Sequence, residues 1–175
     1  MPIYEENGLR VTLPDGESFR FQDCPSYKKL NGKNLSEIDF GWWDSAKDTL
    51  WLLEVKDYSH LTLTERLPNH LLEKLINKIT DSLLILSSVW SGSIQGQKIC
   101  AELPIFCHTF PIQPQKIKIV VVLKITSTHL KPELSPLKTR LLDKLRGRLQ
   151  LFDITNVTLV DHETAAKMGI AIVSV

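Results

Sequence analysis

Residues 37–58 read EIDFGWWDSAKDTLWLLEVKDY, and they decide the fold of this 175-residue chain. Two β-prone runs flank the polar hexapeptide DSAKDT, a pattern that predicts two antiparallel strands around a turn. In that register Asp39 lies opposite Glu54, and Glu37 lies opposite Lys56. Because side chains alternate with a period of two, all four are predicted to point to one face of the strand pair.

Two carboxylates that face each other across a strand pair need a physical explanation. Like charges directly opposite destabilise a sheet, so the pair requires either a bound proton or a cation between the two groups. The other face of the pair is apolar, and its side chains are expected to form core: Ile38, Phe40, Trp42, Trp51, Leu53 and Val55. The pattern therefore indicates an acidic site above a rigid apolar floor.

A divalent metal suits this acidic site, because Mg²⁺ prefers hard oxygen ligands and commonly binds one or two carboxylates. Asp39 and Glu54 would supply carboxylates, the backbone carbonyl of Val55 a third oxygen, and Glu37 is a further candidate ligand. Lys56 would orient an attacking water or neutralise charge in a phosphorane-like transition state. Mn²⁺ is the alternative ion. The competing interpretation is a cross-strand salt bridge from Lys56 on an exposed sheet face.

The composition is that of an ordinary globular protein, with 43% apolar and 23% charged residues. A chain of this length is expected to form one domain, residues 1–175, without stapling disulfides. Its three cysteines show no disulfide-framework spacing, which suits a reducing compartment. With no leader-like N-terminus and no apolar run of membrane-spanning length, we expect a cytoplasmic protein that does not enter a membrane.

The remaining elements predict a mixed α/β protein. The Pro-Asp-Gly turn within residues 9–21 is typical of a hairpin, and residues 24–34 look like a loop with one helical turn. The predicted helices span about Thr64–Trp90, Ser135–Leu151 and 162–168, and the predicted strands 116–125, 156–160 and 170–175. Residues 91–115, rich in glycine and proline, show no sustained period and are read as a long loop.

Charge is unevenly distributed although the net charge is only +1. Residues 116–150 hold nine Lys or Arg and two acidic residues. The basic side chains on the outer face of the second long helix are candidates for binding a nucleic-acid backbone: Lys138, Arg140, Lys144, Arg146 and Arg148. A solvated helix face explains the same pattern. On the first long helix, Lys74 and Lys78 are assigned to a solvated face, with phosphate contact as the alternative.

The motif within residues 37–58 resembles that of the PD-(D/E)xK nuclease superfamily, which has the restriction-endonuclease-like fold. The family carries an acid in one strand and an acid-x-Lys in the next. Here Asp39 is followed, after fourteen residues, by Glu54-Val55-Lys56. The resemblance covers a core of about residues 36–125, and about 126–175 would be a C-terminal α/β extension. The sequence departs from the family in having no long helix before Glu37.

The resemblance implies an α/β fold with a mixed β-sheet flanked by helices, and a Mg²⁺-dependent endonuclease that hydrolyses phosphodiester bonds, with DNA the expected substrate. Asp39 and Glu54 would be the metal ligands and Lys56 the catalytic lysine. A homodimer is plausible by the same resemblance. Two alternatives stay open: a catalytically inactive binding or assembly module with this fold, and a nuclease subunit that receives its specificity from a partner.

Overall fold

The fold is that of a computed structural model, and the residues described are 1–6, 8–30, 32, 34–111 and 116–174. Its eight strands are β1 (Ile3–Glu6), β2 (Leu9–Thr12), β3 (Ser18–Phe19), β4 (Phe40–Asp44), β5 (Thr49–Asp57), β6 (Ile117–Lys124), β7 (Val157–Asp161) and β8 (Ala171–Ser174). Its five α-helices are α1 (Pro25–Lys28), α2 (Leu71–Trp90), α3 (Ile94–Cys100), α4 (Leu134–Gln150) and α5 (His162–Lys167). The expected mixed α/β class is confirmed.

Two sheets share the strands. The larger has the order β3-β4-β5-β6-β7, with antiparallel pairing from β3 to β5 and parallel pairing from β5 to β7. The smaller is antiparallel, in the order β1-β2-β8. The chain's last fifty residues therefore contribute a strand to each sheet.

The larger sheet has a hydrophobic core on each face. Along β6, Ile119, Val121 and Leu123 pack with α2 and α4, whereas Val120 and Val122 pack with β2, β8 and α5. A strand covered on both faces reads as a continuous apolar run, as KIKIVVVLKI does. None of the helices in the described residues is both long enough and apolar enough to span a bilayer.

The N-terminal hairpin predicted within residues 9–21 is wrong. β2 pairs with β1 and β8, whereas β3 pairs with β4, so the Pro-Asp-Gly turn leads the chain from one sheet to the other. Gly16 is required there, because a Cβ at this position would lie 2.5 Å from the carbonyl oxygen of Trp43. A local turn signal cannot say which strand becomes the partner.

Two boundaries also differ from the predicted ones. Helix α2 begins at Leu71 rather than near Thr64, since Pro68 disfavours helical backbone in the residue before it and the side chain of Glu65 instead closes a turn by accepting from Thr62. The segment read as a long loop contains α3, whose Gly96 lets it lie against the carbonyl of Ser88. Of that segment, residues 112–115 lie outside the described residues.

Candidate active site

The candidate site lies where β5 continues beyond its antiparallel neighbour. The ladder pairs Phe40 with Leu53 and stops there, because β4 begins at Phe40. The Asp39–Glu54 and Glu37–Lys56 pairings predicted from sequence are therefore not ladder pairs. Strand β5 runs on to Asp57 along the parallel strand β6, which leaves an unpaired edge beside Val55.

Helix α2 fixes the chain just before β4. The backbone N–H of Ile38 donates to Oγ of Ser82 at 2.8 Å, and that of Ser36 donates to the carboxylate of Asp81 at 2.8 Å. These bonds turn the segment toward the helix, so Ile38 is buried among the helices and not with Phe40 and its neighbours, contrary to the expected alternation. Asp39 is thereby held at the bend.

The carboxylate of Asp39 fills the gap that β4 leaves. Its Oδ2 accepts the backbone N–H of Val55 at 2.8 Å, while its Oδ1 accepts from Nζ of Lys78 at 2.7 Å. The backbone N–H groups of Leu50 and Tyr58 donate toward β6. Because this direction alternates from one residue to the next along a strand, the N–H and C=O groups of Val55 point to the opposite side, toward Asp39. The Val55 carbonyl therefore lies at the same edge as the carboxylate.

Glu54 points to the helix-covered face of the sheet, and its side chain is 0% exposed. Nζ of Lys56 lies 2.5 Å from its Oε1. Nζ of Lys78 lies 2.9 Å from Oε1 and 3.0 Å from Oε2. The competing interpretation placed the salt bridge of Lys56 on an exposed sheet face. That placement is wrong, because Lys56 pairs with Glu54, whose carboxylate is fully buried.

Burial and the neighbouring charges together shift the pKa values of Glu54 and Lys78. Burial and the nearby Asp39 raise the pKa of Glu54 to about 7, although Lys78 and Lys56 oppose that rise. Burial favours the neutral form of Lys78, but Glu54 and Asp39 outweigh it, so the pKa of Lys78 lies above its ordinary value. Lys78 supplies a cation between the two carboxylates, where the sequence predicted either a bound proton or a cation and favoured a divalent metal.

Lys78 is the residue that sequence reasoning missed, since it was assigned to a solvated face together with Lys74. Lys74 is exposed, whereas Lys78 is mostly buried. The sequence did contain a signal for the position of Lys78. Lys78 lies on the same face of α2 as Ser82, Ile85 and Val89, which follow it at intervals of four, three and four residues and are buried. Two polar residues at the head of a buried row indicate an internal polar contact.

The side chain of Glu37 is hydrogen-bonded to helix α1. Its carboxylate accepts a short hydrogen bond from the hydroxyl of Tyr27, which lies on α1. Burial, together with this carboxylate, raises the pKa of Tyr27 above its ordinary value. The assignment of Glu37 as an additional metal ligand stays a prediction.

The basic face of α4 is present as expected. Leu137, Leu141, Leu145 and Leu149 are buried, and the helix lies beside α2 on the same face of the sheet. The five basic candidates turn outward: Lys138 is half-buried, and Arg140, Lys144, Arg146 and Arg148 are exposed. Arg146 also pairs with Asp143 at 2.8 Å. The cationic side chains thus belong to the helical layer that also carries Lys78.

Within the described part of the chain, no group of three or more His, Cys, Asp or Glu side chains could hold a metal ion. The oxygen donors of the candidate site are the two carboxylates and a backbone carbonyl. Comparisons of the chain with protein-family models, with curated proteins and with solved structures gave no match.

Proposed function

We propose that this protein is a divalent-cation-dependent hydrolase of phosphodiester bonds, of the PD-(D/E)xK nuclease type, with DNA as its substrate. One observation carries the proposal: Asp39 and Glu54 approach closely enough for one ammonium group to bind both. A buried carboxylate pair costs stability, and catalytic sites are where such perturbed groups concentrate.

The donor set fits Mg²⁺ or Mn²⁺. Asp39, Glu54 and the Val55 carbonyl would hold the ion through oxygen, the ligand atom that both ions favour. When bound, the ion supplies Lewis-acid polarisation of a phosphoryl oxygen and a more acidic water. The bond from Val55 N–H occupies Oδ2 of Asp39 and leaves Oδ1 to face the cation.

Lys56 is the proposed catalytic lysine. Its ammonium lies against Oε1 of Glu54 and retains partial access to solvent, where an incoming phosphate would approach. From there it orients the attacking water and neutralises charge that grows on the phosphoryl oxygens. The water oxygen bonds to phosphorus and gives up one proton to solvent, the bond from phosphorus to the leaving sugar oxygen breaks, and that oxygen takes up a proton from solvent, which leaves a phosphate monoester and a free hydroxyl.

The basic face of α4 is proposed to hold the backbone of the nucleic acid. Lys144 and Arg148 are exposed there, and cationic contacts to phosphate position a duplex without reading its sequence. A homodimer that cuts both strands, with a cytoplasmic location, belongs to the same proposal. Sequence specificity supplied by a partner subunit is compatible with this chemistry.

The second candidate function is a catalytically inactive binding or assembly module. One observation favours it: Lys78 already compensates both carboxylates without a metal. In that case the cluster is a permanent buried salt bridge, and neither metal binding nor cleavage is expected.

The test is a cleavage assay on single-stranded, double-stranded and branched DNA with Mg²⁺ or Mn²⁺. Lys56→Ala is compared with Lys74→Ala, a matched change at an exposed lysine, and metal binding is followed by calorimetry. We expect metal-dependent cutting that Lys56→Ala reduces by about a hundredfold or more, with metal still bound and the control active. A folded wild type that neither binds metal nor cuts any substrate would favour the inactive module.

A further inference from the structure

Lys78 occupies the position between the two carboxylates from a different element of the fold. Asp39 precedes β4 and Glu54 lies on β5, whereas Lys78 extends from the second turn of α2. Its Nζ lies within 3.0 Å of three carboxylate oxygens, one on Asp39 and two on Glu54. An ammonium that contacts three oxygens of two acids has the surroundings of a bound cation.

The carboxylates and the lysine are anchored to the fold in different ways. Asp39 is fixed by Val55 and by the bend at Ile38, and Glu54 belongs to a central strand of the larger sheet. Lys78 reaches the site through a flexible four-carbon stem and is about one-fifth exposed. The carboxylates are therefore the preorganised part of the site, and the lysine head is the part that can leave.

When both carboxylates are ionised, the charges of the cluster balance, since the two acids face the ammonium groups of Lys56 and Lys78. A divalent ion added to the cluster would leave an excess of positive charge. That excess favours an anionic ligand and disfavours an ammonium that stays between the carboxylates.

We propose that Lys78 is a displaceable internal cation, which occupies the carboxylate pair until a divalent ion replaces it and then turns outward to bind a substrate phosphate. This inference rests on the proposed metal site and adds its regulation: Lys78 competes with the ion, and its release supplies a second phosphate contact beside Lys56. By linkage, a phosphodiester ligand and the divalent ion then strengthen each other's binding by the same factor.

The first test is Mn²⁺ binding to wild type, Lys78→Met and Lys74→Met, measured by calorimetry without nucleic acid. Methionine keeps the length of the side chain and removes the competing charge. We expect Lys78→Met to lower the Kd for Mn²⁺ by about tenfold or more, a change of about 1.4 kcal/mol per tenfold, and the exposed control Lys74→Met to leave the Kd unchanged.

The other outcomes separate the two proposals. Equal or weaker binding by folded Lys78→Met, beside a wild type that binds Mn²⁺, would overturn the role of Lys78 and leave the proposed metal site standing. Absence of Mn²⁺ binding to both folded proteins would overturn both proposals.

A second measurement uses the wild type alone and does not depend on the folding of a variant. A short pulse of an amine-acylating reagent is applied with and without saturating Mn²⁺, and labelling of Lys78 and Lys74 is read by mass spectrometry. We expect Lys78 to be protected without the ion and labelled several-fold faster with it, while Lys74 does not change. Labelling of Lys78 that is indifferent to bound Mn²⁺ would overturn the proposal.

Discussion

Glu54 and Asp57 lie three residues apart on β5, and both face a lysine, yet their environments differ in kind. Asp57 points to the face that the smaller sheet covers, keeps partial exposure, and accepts the backbone N–H of Ser59 at 2.8 Å. Glu54 points to the helical face, has no exposure, and takes its contacts from Lys56 and Lys78.

The difference appears in the direction of the two pKa shifts. Burial raises the pKa of Glu54, with a contribution from Asp39, to about 7. Burial opposes ionisation of Asp57 as well, but the hydrogen bonds from Ser59 and the charge of Lys124 outweigh it, so its pKa lies below the ordinary value. The fold stabilises the charge of Asp57, whereas it holds that of Glu54 at a cost.

Asp161, at the end of β7, repeats the pattern of Asp57. It accepts the backbone N–H of Thr164 at the start of α5 and pairs with Lys131. Burial opposes ionisation, but these contacts lower its pKa. Asp57 and Asp161, at the ends of β5 and β7, thus support the fold, whereas Glu54 is the carboxylate of the three to which the proposed chemistry is assigned.

The largest expected effect comes from removing the bridging cation. Lys78→Met removes the cation shared by two buried carboxylates and leaves Glu54 with Lys56 alone. We expect it to lower the free energy of unfolding by about 3–5 kcal/mol without metal. Lys124→Met removes the lysine beside Asp57, and we expect a loss of about 2 kcal/mol, because Asp57 keeps Ser59 and solvent. Urea unfolding measures both. Equal losses would remove the distinction between the two clusters.

The next effect is a pH dependence of opposite sign at the two acids. Between pH 4.5 and about 7 folded Glu54 binds more protons than the unfolded chain, so its contribution to stability is complete below pH 4.5 and is lost as the pH rises. That loss is at most about 3 kcal/mol. We expect Glu54→Gln to flatten the unfolding free energy over this interval.

Asp57→Asn serves as the contrasting variant in the same titration. Because the pKa of Asp57 is lowered, its contribution is present above pH 3.8 and disappears as the pH falls further. We expect this variant to lose stability at pH 7 and to match wild type in strong acid. A Glu54→Gln profile parallel to wild type between pH 4.5 and 7 would contradict the raised pKa of Glu54.

A smaller effect is expected at Asp161, which caps a helix. Asp161→Ala removes the acceptor for Thr164 N–H and should lower the free energy of unfolding by about 1 kcal/mol. Asp161→Asn retains a capping oxygen and should lose less, although it gives up the charge facing Lys131. Thermal unfolding of both variants checks this order, and because both lose the charge facing Lys131, equal losses would show that the capping oxygen contributes nothing of its own.

The smallest effect on stability is expected on the exposed face of α4. Lys144→Ala and Arg148→Ala should change the free energy of unfolding by no more than about 0.5 kcal/mol. If each contacts a phosphate, each change should reduce the slope of log K against log salt by about 0.9 for duplex DNA. Unchanged affinity and slope in both would remove this face from the proposed nucleic-acid interface.

The elements that sequence predicted well are those whose apolar pattern is complete within the segment. Strand β6 is a continuous apolar run, and α4 carries leucines at every fourth position, so both were located within one or two residues. Strand β1 has four residues and no buried side chain, and its pattern did not distinguish it. One partner of β2 is β1, which ends at Glu6, and the Asn-Gly dipeptide that precedes β2 in the sequence is a hairpin signal that the prediction missed. The other partner, β8, lies near the opposite end of the chain, where local turn chemistry gives no information.

Of the four side chains that meet in the candidate site, sequence predicted Asp39, Glu54 and Lys56 and missed Lys78. The predicted antiparallel register brought Asp39 and Glu54 together, and the structure also places them close to each other. The pairing itself ends at Phe40, because the bond from Ile38 N–H to Ser82 turns the chain away before β4. Lys78 could not be placed, because its contact depends on how α2 crosses the sheet. Helical periodicity fixes which residues share a face, but not which strand residue that face meets.

The most direct test of the proposed metal site is a crystal structure of the wild type grown with Mn²⁺, with the ion located by its anomalous scattering. We predict one Mn²⁺ bound by Asp39, Glu54 and the carbonyl of Val55, with the ammonium of Lys78 turned out of the carboxylate pair. A map at saturating Mn²⁺ in which Lys78 still bridges Asp39 and Glu54, with no anomalous peak beside them, would contradict the account.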